Sequence, residues 1–224
     1  MREAVAIRNA LDAMARRYEL EPRVIGPPVR QGAPEIWGAM VFCILSSQVR
    51  ASTAQKLTGA VLEQLSFFEK WPTYSEVLSG VPIAMAKAER QHRFPKSKAK
   101  QIGLSWFCFS HIHNIFGEFV YSSSVPCDRK RSFIIENFPG LGMKQSSMLL
   151  RDIGASSNIA IIDSHIMHYL NIAYDFNPKY LNRKTYLDGE VLLVREASAM
   201  GVDLAEYDHW LWSAVRRVRE RGFA

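Results

Sequence analysis

The stretch Phe138-Pro139-Gly140-Leu141-Gly142-Met143-Lys144 decides the fold, and Asp163-Ser164-His165 answers it nineteen residues after the lysine. Two glycines flank one apolar residue, and a helix-forming run starts at once. That order predicts a tight hairpin feeding a helix N-terminus. Free N–H groups at such a start, together with the helix dipole, form an anion site. A lysine in the first turn opposes the dipole, so its placement there is locally unfavourable. An aspartate opening the next helical run is by residue type a preferred N-cap. An amine and a carboxylate are thereby offered beside a phosphate-binding turn. The structural alternatives are an ordinary turn, a lysine that snorkels into water and an aspartate that only caps.

The chain has 224 residues, 48% of them hydrophobic, enough to bury a sizeable core in one large domain or two small lobes. Its net charge of +6 favours a polyanionic partner. Cys43, Cys108 and Cys127 are widely spaced with no C-x-x-C, so they cannot supply a four-cysteine cluster or zinc site. Buried, reduced thiols of a cytoplasmic protein are expected instead. Neither a metal-ligating side-chain set nor a cofactor is expected. Met1 to Arg17 is amphipathic and charged, unlike a signal peptide. No run of eighteen apolar residues exists, so no membrane span is expected.

Helical periodicity dominates the chain. Ala4 to Tyr18 puts Ile7, Leu11, Met14 and Tyr18 on one face. A Pro/Gly-rich passage from Gly26 to Pro34 breaks the pattern. Glu35 to Leu45 reads as a buried apolar helix, Ser46-Ser47-Gln48-Val49-Arg50 interrupts it, and Ala51 to Leu65 resumes. Two short helices are expected near Tyr74 to Leu78 and Ile83 to Glu89. Lys96 to Phe119 reads as one long helix after Pro95, and Arg129 to Glu136 as a short one. Met143 to Ile153 is closed by Gly154. Ala160-Ile161-Ile162 leads into the helix at Asp163. Pro178 to Met200 and Leu204 to Arg221 complete an all-α pattern with no strand of useful length. Hinges are expected near 26–34 and 121–128, which predicts one lobe from 1–34 plus 129–224 and another from 35–128.

These residues resemble the helix-hairpin-helix DNA glycosylase superfamily. Phe138 to Leu170 looks like the signature of its 8-oxoguanine glycosylase/lyase branch, and the chain length is similar to the compact archaeal and bacterial members. Weaker resemblance runs from about Glu35 to the C-terminus. The resemblance implies two helical lobes with a DNA-binding cleft between them. It also implies a partner, double-stranded DNA carrying a damaged base, which is extruded into a pocket. Lys144 matches the lysine that attacks the sugar C1′, displaces the base and forms a Schiff base, after which β-elimination nicks the strand. Asp163 matches the carboxylate that stabilises charge on the sugar. Lys144 therefore points to a bifunctional glycosylase and AP lyase of base excision repair, acting as a monomer at the nucleoid in the cytoplasm.

Other positions carry over from the same resemblance. Gly140 and Gly142 match amide donors to phosphate, and His165 matches a phosphate contact. Gln48 falls where the family inserts a polar wedge, or else marks a kink between two buried helices. Met148, one turn after Lys144, matches a pocket wall. Trp210 and Trp212 are candidates for stacking on the flipped base; their spacing puts them on different faces, so one of them belongs to the core. The hairpin carbonyls, among them those of Glu136, Phe138 and Leu141, match the holders of a structural cation. Arg93 to Lys100 reads as a solvated basic face, and Arg216, Arg217, Arg219 and Arg221 as candidates for salt-sensitive DNA contacts. Two features depart from the pattern. Arg221-Gly222-Phe223-Ala224 stands where the compact branch carries a base-reading lysine. Ala51-Ser52-Thr53 stands where the larger branch carries an arginine that reads the orphaned cytosine. The same chemistry on another modified base, or a non-catalytic DNA-binding module, therefore stands beside the 8-oxoguanine reading.

Overall fold

Helix starts in this chain are set by residues that satisfy or avoid the unpaired N–H groups of a first turn. The clearest is Thr73. Its hydroxyl accepts the Glu76 N–H at 3.3 Å while Glu76 Oε2 accepts the Thr73 N–H at 2.7 Å, a reciprocal capping box. The computed structural model describes residues 2–20, 30–88 and 91–220. Among them are helices α1 (Arg2–Leu20), α2 (Ala33–Leu45), α3 (Ala51–Gln64), α4 (Tyr74–Lys87), α5 (Pro95–Tyr121), α6 (Cys127–Asn137), α7 (Met143–Asp152), α8 (Ser164–Tyr174), α9 (Arg183–Ala199) and α10 (Leu204–Glu220). No strand occurs among the described residues, in keeping with the all-α expectation. No helix among them is long and apolar enough to cross a membrane.

The expected pair of short helices is one helix, α4, with Pro82 inside it. A mid-helix proline removes a hydrogen bond and costs about 3 kcal/mol in isolation. Here Val77, Val81, Ala84 and Met85 are buried along the same helix, so packing overrides the break. The expected end at Glu89 lies outside the described residues. Pro34, expected in the loop, sits in the first turn of α2, where its missing N–H has no consequence; residues 26–29 of that passage lie outside the described residues. The helix expected from Pro178 begins at Arg183, because the Asn182 side chain accepts the Thr185 N–H at 3.0 Å and caps it there. Gly154, at φ +70, stops α7 as expected. Arg221 to Ala224 lie outside the described residues.

The chain divides into two compact units, Met1–Pro28 with Ser156–Ala224, and Val29–Ala155. The expectation that 129–155 would join the terminal segments is thereby corrected. Two interactions hold that segment in the middle unit. The Tyr121 hydroxyl at the end of α5 accepts the Gln31 N–H at 2.8 Å and donates to the Ile153 carbonyl at 2.7 Å. An aromatic chain also runs through this unit. Trp37 of α2 meets Trp106 and Phe109 of α5 at 4.8 and 5.8 Å, Phe109 meets Phe116 at 5.8 Å, and Phe116 meets Phe138 edge-on at 5.4 Å. Each such pair is worth about 0.5–1.5 kcal/mol beyond its buried area.

The terminal unit packs α1, α8, α9 and α10 around buried Leu170, Leu193, Leu211 and Ile7. Its polar centre is Glu196, whose carboxylate accepts the hydroxyls of Tyr169 at 2.7 Å, Tyr174 at 2.5 Å and Tyr207. Burial, reinforced by that carboxylate, pushes the Tyr169 phenol from about 10 up to about 12, and moves Tyr174 and Tyr207 in the same direction. A phenol held protonated in the fold stabilises it fully below pH about 10, and the contribution disappears as pH rises through 12. Denaturant unfolding followed by circular dichroism should therefore lose roughly 2–3 kcal/mol from Tyr169 alone between those limits. Glu196→Gln should reduce that loss in part, since the burial that is the larger cause remains. An alkaline loss identical in the variant would show that the cluster does not control it.

Candidate active site

The hairpin between α6 and α7 is built on Phe138. Its ring is fully buried and its N–H donates to the Ile134 carbonyl at 3.0 Å, closing α6. Leu141, also buried, donates its N–H to the Phe138 carbonyl at 3.2 Å. Helix α5 holds the turn from beneath. Ser105 Oγ donates to the Pro139 carbonyl at 3.0 Å, and the Gln101 side chain lies under Gly140. Gly140 has φ +93, and a Cβ there would stand 2.8 Å from Gln101 Oε1. Both conformation and space require glycine at this point.

Gly142 is different. Its φ of −87 is open to any residue, and the nearest atom to an added Cβ is Gln145 Oε1 at 3.6 Å. Nothing in the fold demands glycine here. Gly142 is the N-cap of α7 and offers no capping side chain. The amides of Met143, Lys144 and Gln145 find no acceptor among the described residues, and the ladder begins only with Ser146 N–H to Gly142 O at 2.9 Å. Like the starts of α2, α3, α5 and α6, this one has no side-chain cap, and its leading donors are open to water or to an anion. Lys144 is half-buried in that first turn, with half-buried Met148 one turn on. Helix α2 packs on α7, and Cys43 lies there fully buried; burial pushes its thiol well above the ordinary range, with a smaller opposing pull from Lys144.

The loop after α2 belongs to the same unit. Ser46 continues the helix with its N–H on the Phe42 carbonyl and its hydroxyl on the Cys43 carbonyl, both at 2.8 Å. Gln48 then takes φ +61 and is exposed. A non-glycine residue in the left-handed region costs about 1–2 kcal/mol, and such strain concentrates at functional sites. Nearby, His92 is buried, and its Nδ1 accepts the Phe94 N–H at 2.9 Å. Its basicity is lowered by burial first and by Lys98 second. Lys98 corrects the expectation of a uniformly solvated basic face. It is 7% exposed, donates to Gln101 Oε1 at 3.0 Å, and is lowered by loss of water. The reason is helical phase: Lys98, Ile102 and Ser105 share the inner face of α5, while Arg93, Lys96 and Lys100 remain exposed.

Asp163 belongs to the terminal unit, where it is the N-cap of α8. The extended segment before it has no strand partner, and side chains take over its backbone groups. The Tyr186 hydroxyl accepts the Ile162 N–H and donates to the Ala160 carbonyl, both at 2.9 Å. Glu190 accepts the Ala160 N–H at 2.8 Å, and Asp208 accepts the Ile161 N–H at 3.2 Å. Asp163 Oδ1 then accepts the N–H groups of His165 and Ile166 at 2.8 and 3.1 Å, while Oδ2 accepts the Trp212 indole N–H at 3.1 Å. The His165 ring meets Trp212 edge-on at 5.9 Å and 84°, and its Nδ1 is buried without a partner. Trp212 is half-buried, with the Arg216 guanidinium over its ring at 5.3 Å. Trp210 is 7% exposed, with its indole N–H on Glu206, and is part of the core. Arg216, Arg217 and Arg219 are exposed.

Sequence reading missed Tyr186, Glu190, Asp208 and Gln101. Their only signal was a polar residue on an otherwise apolar helix face, which does not say what it holds.

Ten helices among the described residues and the glycine hairpin that opens α7 make up the helix-hairpin-helix architecture of a DNA glycosylase family. The model of the 8-oxoguanine DNA glycosylase family matches residues 29–202, and the chain belongs to that family. It is 26% identical over 209 residues to the 8-oxoguanine DNA glycosylase/AP lyase of Korarchaeum cryptofilum, covering 92% of this chain and 88% of that one. It is 33% identical over 123 residues to the protein of the same name from Methanocaldococcus jannaschii, covering 54% and 56%. The crystal structure of the Methanocaldococcus jannaschii enzyme with a 15mer DNA containing 8-oxoguanine shares the fold, with a TM-score of 0.64 at 23% identity over 92% of this chain and 88% of that one.

The two hairpin glycines should separate by substitution. Gly140→Ala should cost roughly 1–3 kcal/mol of stability, read as a lowered thermal midpoint. Gly142→Ala should leave the midpoint within about 0.5 kcal/mol, since no strain or contact opposes it. Equal losses at both positions would show that the fold requires glycine at 142 as well.

Proposed function

We propose that this chain is a bifunctional DNA glycosylase and AP lyase of base excision repair that removes 8-oxoguanine from double-stranded DNA. The observation that carries this reading is Lys144 in the first turn of a helix whose leading amides have no acceptor. A DNA phosphate satisfies those amides and fixes the register of the strand without reading its sequence. The Gly140 and Gly142 amides are donors to phosphate, with Gly140 shaping the turn and Gly142 leaving room for close approach, and His165 adds a further phosphate contact. A cation on the hairpin would use the carbonyls of Glu136, Phe138 and Leu141. The last two already accept one hydrogen bond each and keep a second lone pair. The protein acts as a monomer, at the nucleoid in the cytoplasm.

The chemistry runs through an amine and a carboxylate. The uncharged Lys144 amine forms a bond to the sugar C1′ as the bond from C1′ to the base breaks, and the base leaves with the electron pair and takes up a proton. Ring opening gives a Schiff base. Loss of a C2′ proton then expels the 3′ phosphate and nicks the strand. Asp163, with donors on both oxygens, is the fixed carboxylate that stabilises positive charge developing on the sugar. Met148, half-buried one turn after Lys144, is a wall for the extruded base. Gln48 fills the space vacated by the extruded base; its exposed side chain and left-handed backbone support a wedge over a simple kink.

Borohydride trapping on a duplex with 8-oxoguanine should yield a covalent adduct that Lys144→Gln abolishes. Asp163→Asn should slow base release by roughly a hundredfold or more while DNA affinity is retained. An adduct on an abasic duplex alone would redirect the specificity to another base, and no adduct on either would leave a non-catalytic DNA-binding module.

The wedge has its own test. Gln48→Ala should slow base release from duplex DNA by about tenfold and leave release from single-stranded DNA unchanged, since only the duplex requires a gap to be filled. Equal effects on both substrates would remove Gln48 from that role.

A further inference from the structure

We infer that Trp212 is a positioning residue for Asp163: its indole N–H fixes the plane of the carboxylate on which base release depends. The inference rests on the proposed glycosylase function and deepens it. The capping geometry of α8 accounts for Oδ1 alone, through the His165 and Ile166 amides. A carboxylate held by one oxygen can still swing its other oxygen about the side-chain torsion. Oδ2 is taken by the indole N–H at 3.1 Å, from a helix forty-nine residues away in sequence. An N-cap needs no such partner, so this second donor serves the orientation of the carboxylate and not the start of the helix.

The indole is itself held. Arg216, one turn further along α10, lies over its ring at 5.3 Å, and the Arg216 Nε donates to Glu220 at 2.7 Å. His165 braces it edge-on at 5.9 Å. Asp208, on the same helix, holds the Ile161 N–H two residues before the carboxylate. Helix α10 therefore grips both the approach to Asp163 and its free oxygen. An aromatic ring that only stacked on a base would present a face. Here Arg216 covers one face, and the polar edge is spent on the carboxylate.

Removing the N–H and keeping the ring tests this. Trp212→Phe, and β-(3-benzothienyl)alanine at the same position, both delete the donor, and the second preserves the bicyclic shape if phenylalanine disturbs the fold. Single-turnover release of 8-oxoguanine from duplex DNA should fall roughly tenfold to a hundredfold in each. The dissociation constant for the lesion duplex should stay within about twofold. In an Asp163→Asn background, where the negative charge is already gone, neither change should slow release further. An equal slowing in both backgrounds would mean that Trp212 acts on the base independently of Asp163, and unchanged release would mean that the hydrogen bond is incidental; either result overturns the inference. A wild-type protein that neither releases the base nor traps on any duplex overturns the proposed function, and the positioning role with it.

Discussion

The site depends on the burial of Phe138. A hairpin of two glycines has little to hold it, because glycine contributes no side chain and maximal backbone freedom to the unfolded chain. Phe138 supplies the anchor, with a fully buried ring against Phe116 in the core of the middle unit. Once that ring is seated, Ser105 can reach the Pro139 carbonyl and Gln101 can sit under Gly140. The turn is thereby rigid on its inner side. Only its outer side, where Gly142 starts α7, remains open.

The two helix starts that carry the proposed chemistry solve the same problem in opposite ways. Every helix begins with N–H groups that have no partner within it. At α8 an aspartate closes them with its own carboxylate, and the carboxylate is thereby fixed. At α7 a glycine leaves them open, and a lysine is placed among them against the dipole. The first arrangement fixes an anion of the protein. The second leaves room for an anion from outside. Open starts also occur at α2, α3, α5 and α6, so what sets α7 apart is the lysine in its first turn and not the missing cap.

Much of this could be read along the chain, and what could not has a common cause. Lys144 and Asp163 sit at helix starts that local residue types announce, and the all-α class follows from periodicity over long runs. Local signals failed where long-range packing decided. Two short helices are expected between Tyr74 and Glu89, but the buried face of α4 carries a single helix through Pro82. The hinge expected near 121–128 follows from a serine-rich loop, yet Tyr121 ties that loop back to Gln31 and Ile153. Lys98 reads as one lysine among several, and only the phase of α5 tells that it faces inward. The side chains that pin Ala160 to Ile162 come from about 25 to 50 residues downstream, beyond any spacing rule.

The two units also differ in how their polar groups balance, and the difference bears on what each can bind. In the terminal unit the acidic groups are already used: Glu196 by tyrosines, Glu190 and Asp208 by backbone amides, Asp163 by amides and an indole. The middle unit holds a buried acid too, since burial raises the Asp152 carboxyl to about 6, but it also holds donors that meet no anion. The first amides of α7 have no acceptor, and buried Lys98 has only a neutral amide oxygen. Buried donors without acceptors are costly, and buried cations without counter-charges more so. A fold retains such a surplus where an anionic partner relieves it. A phosphodiester strand brings oxygens in a row and no competing donors, which suits open donors better than a neutral ligand does. The net charge of +6 points the same way but is modest, and the lysine in the open first turn of α7 is the more specific reason.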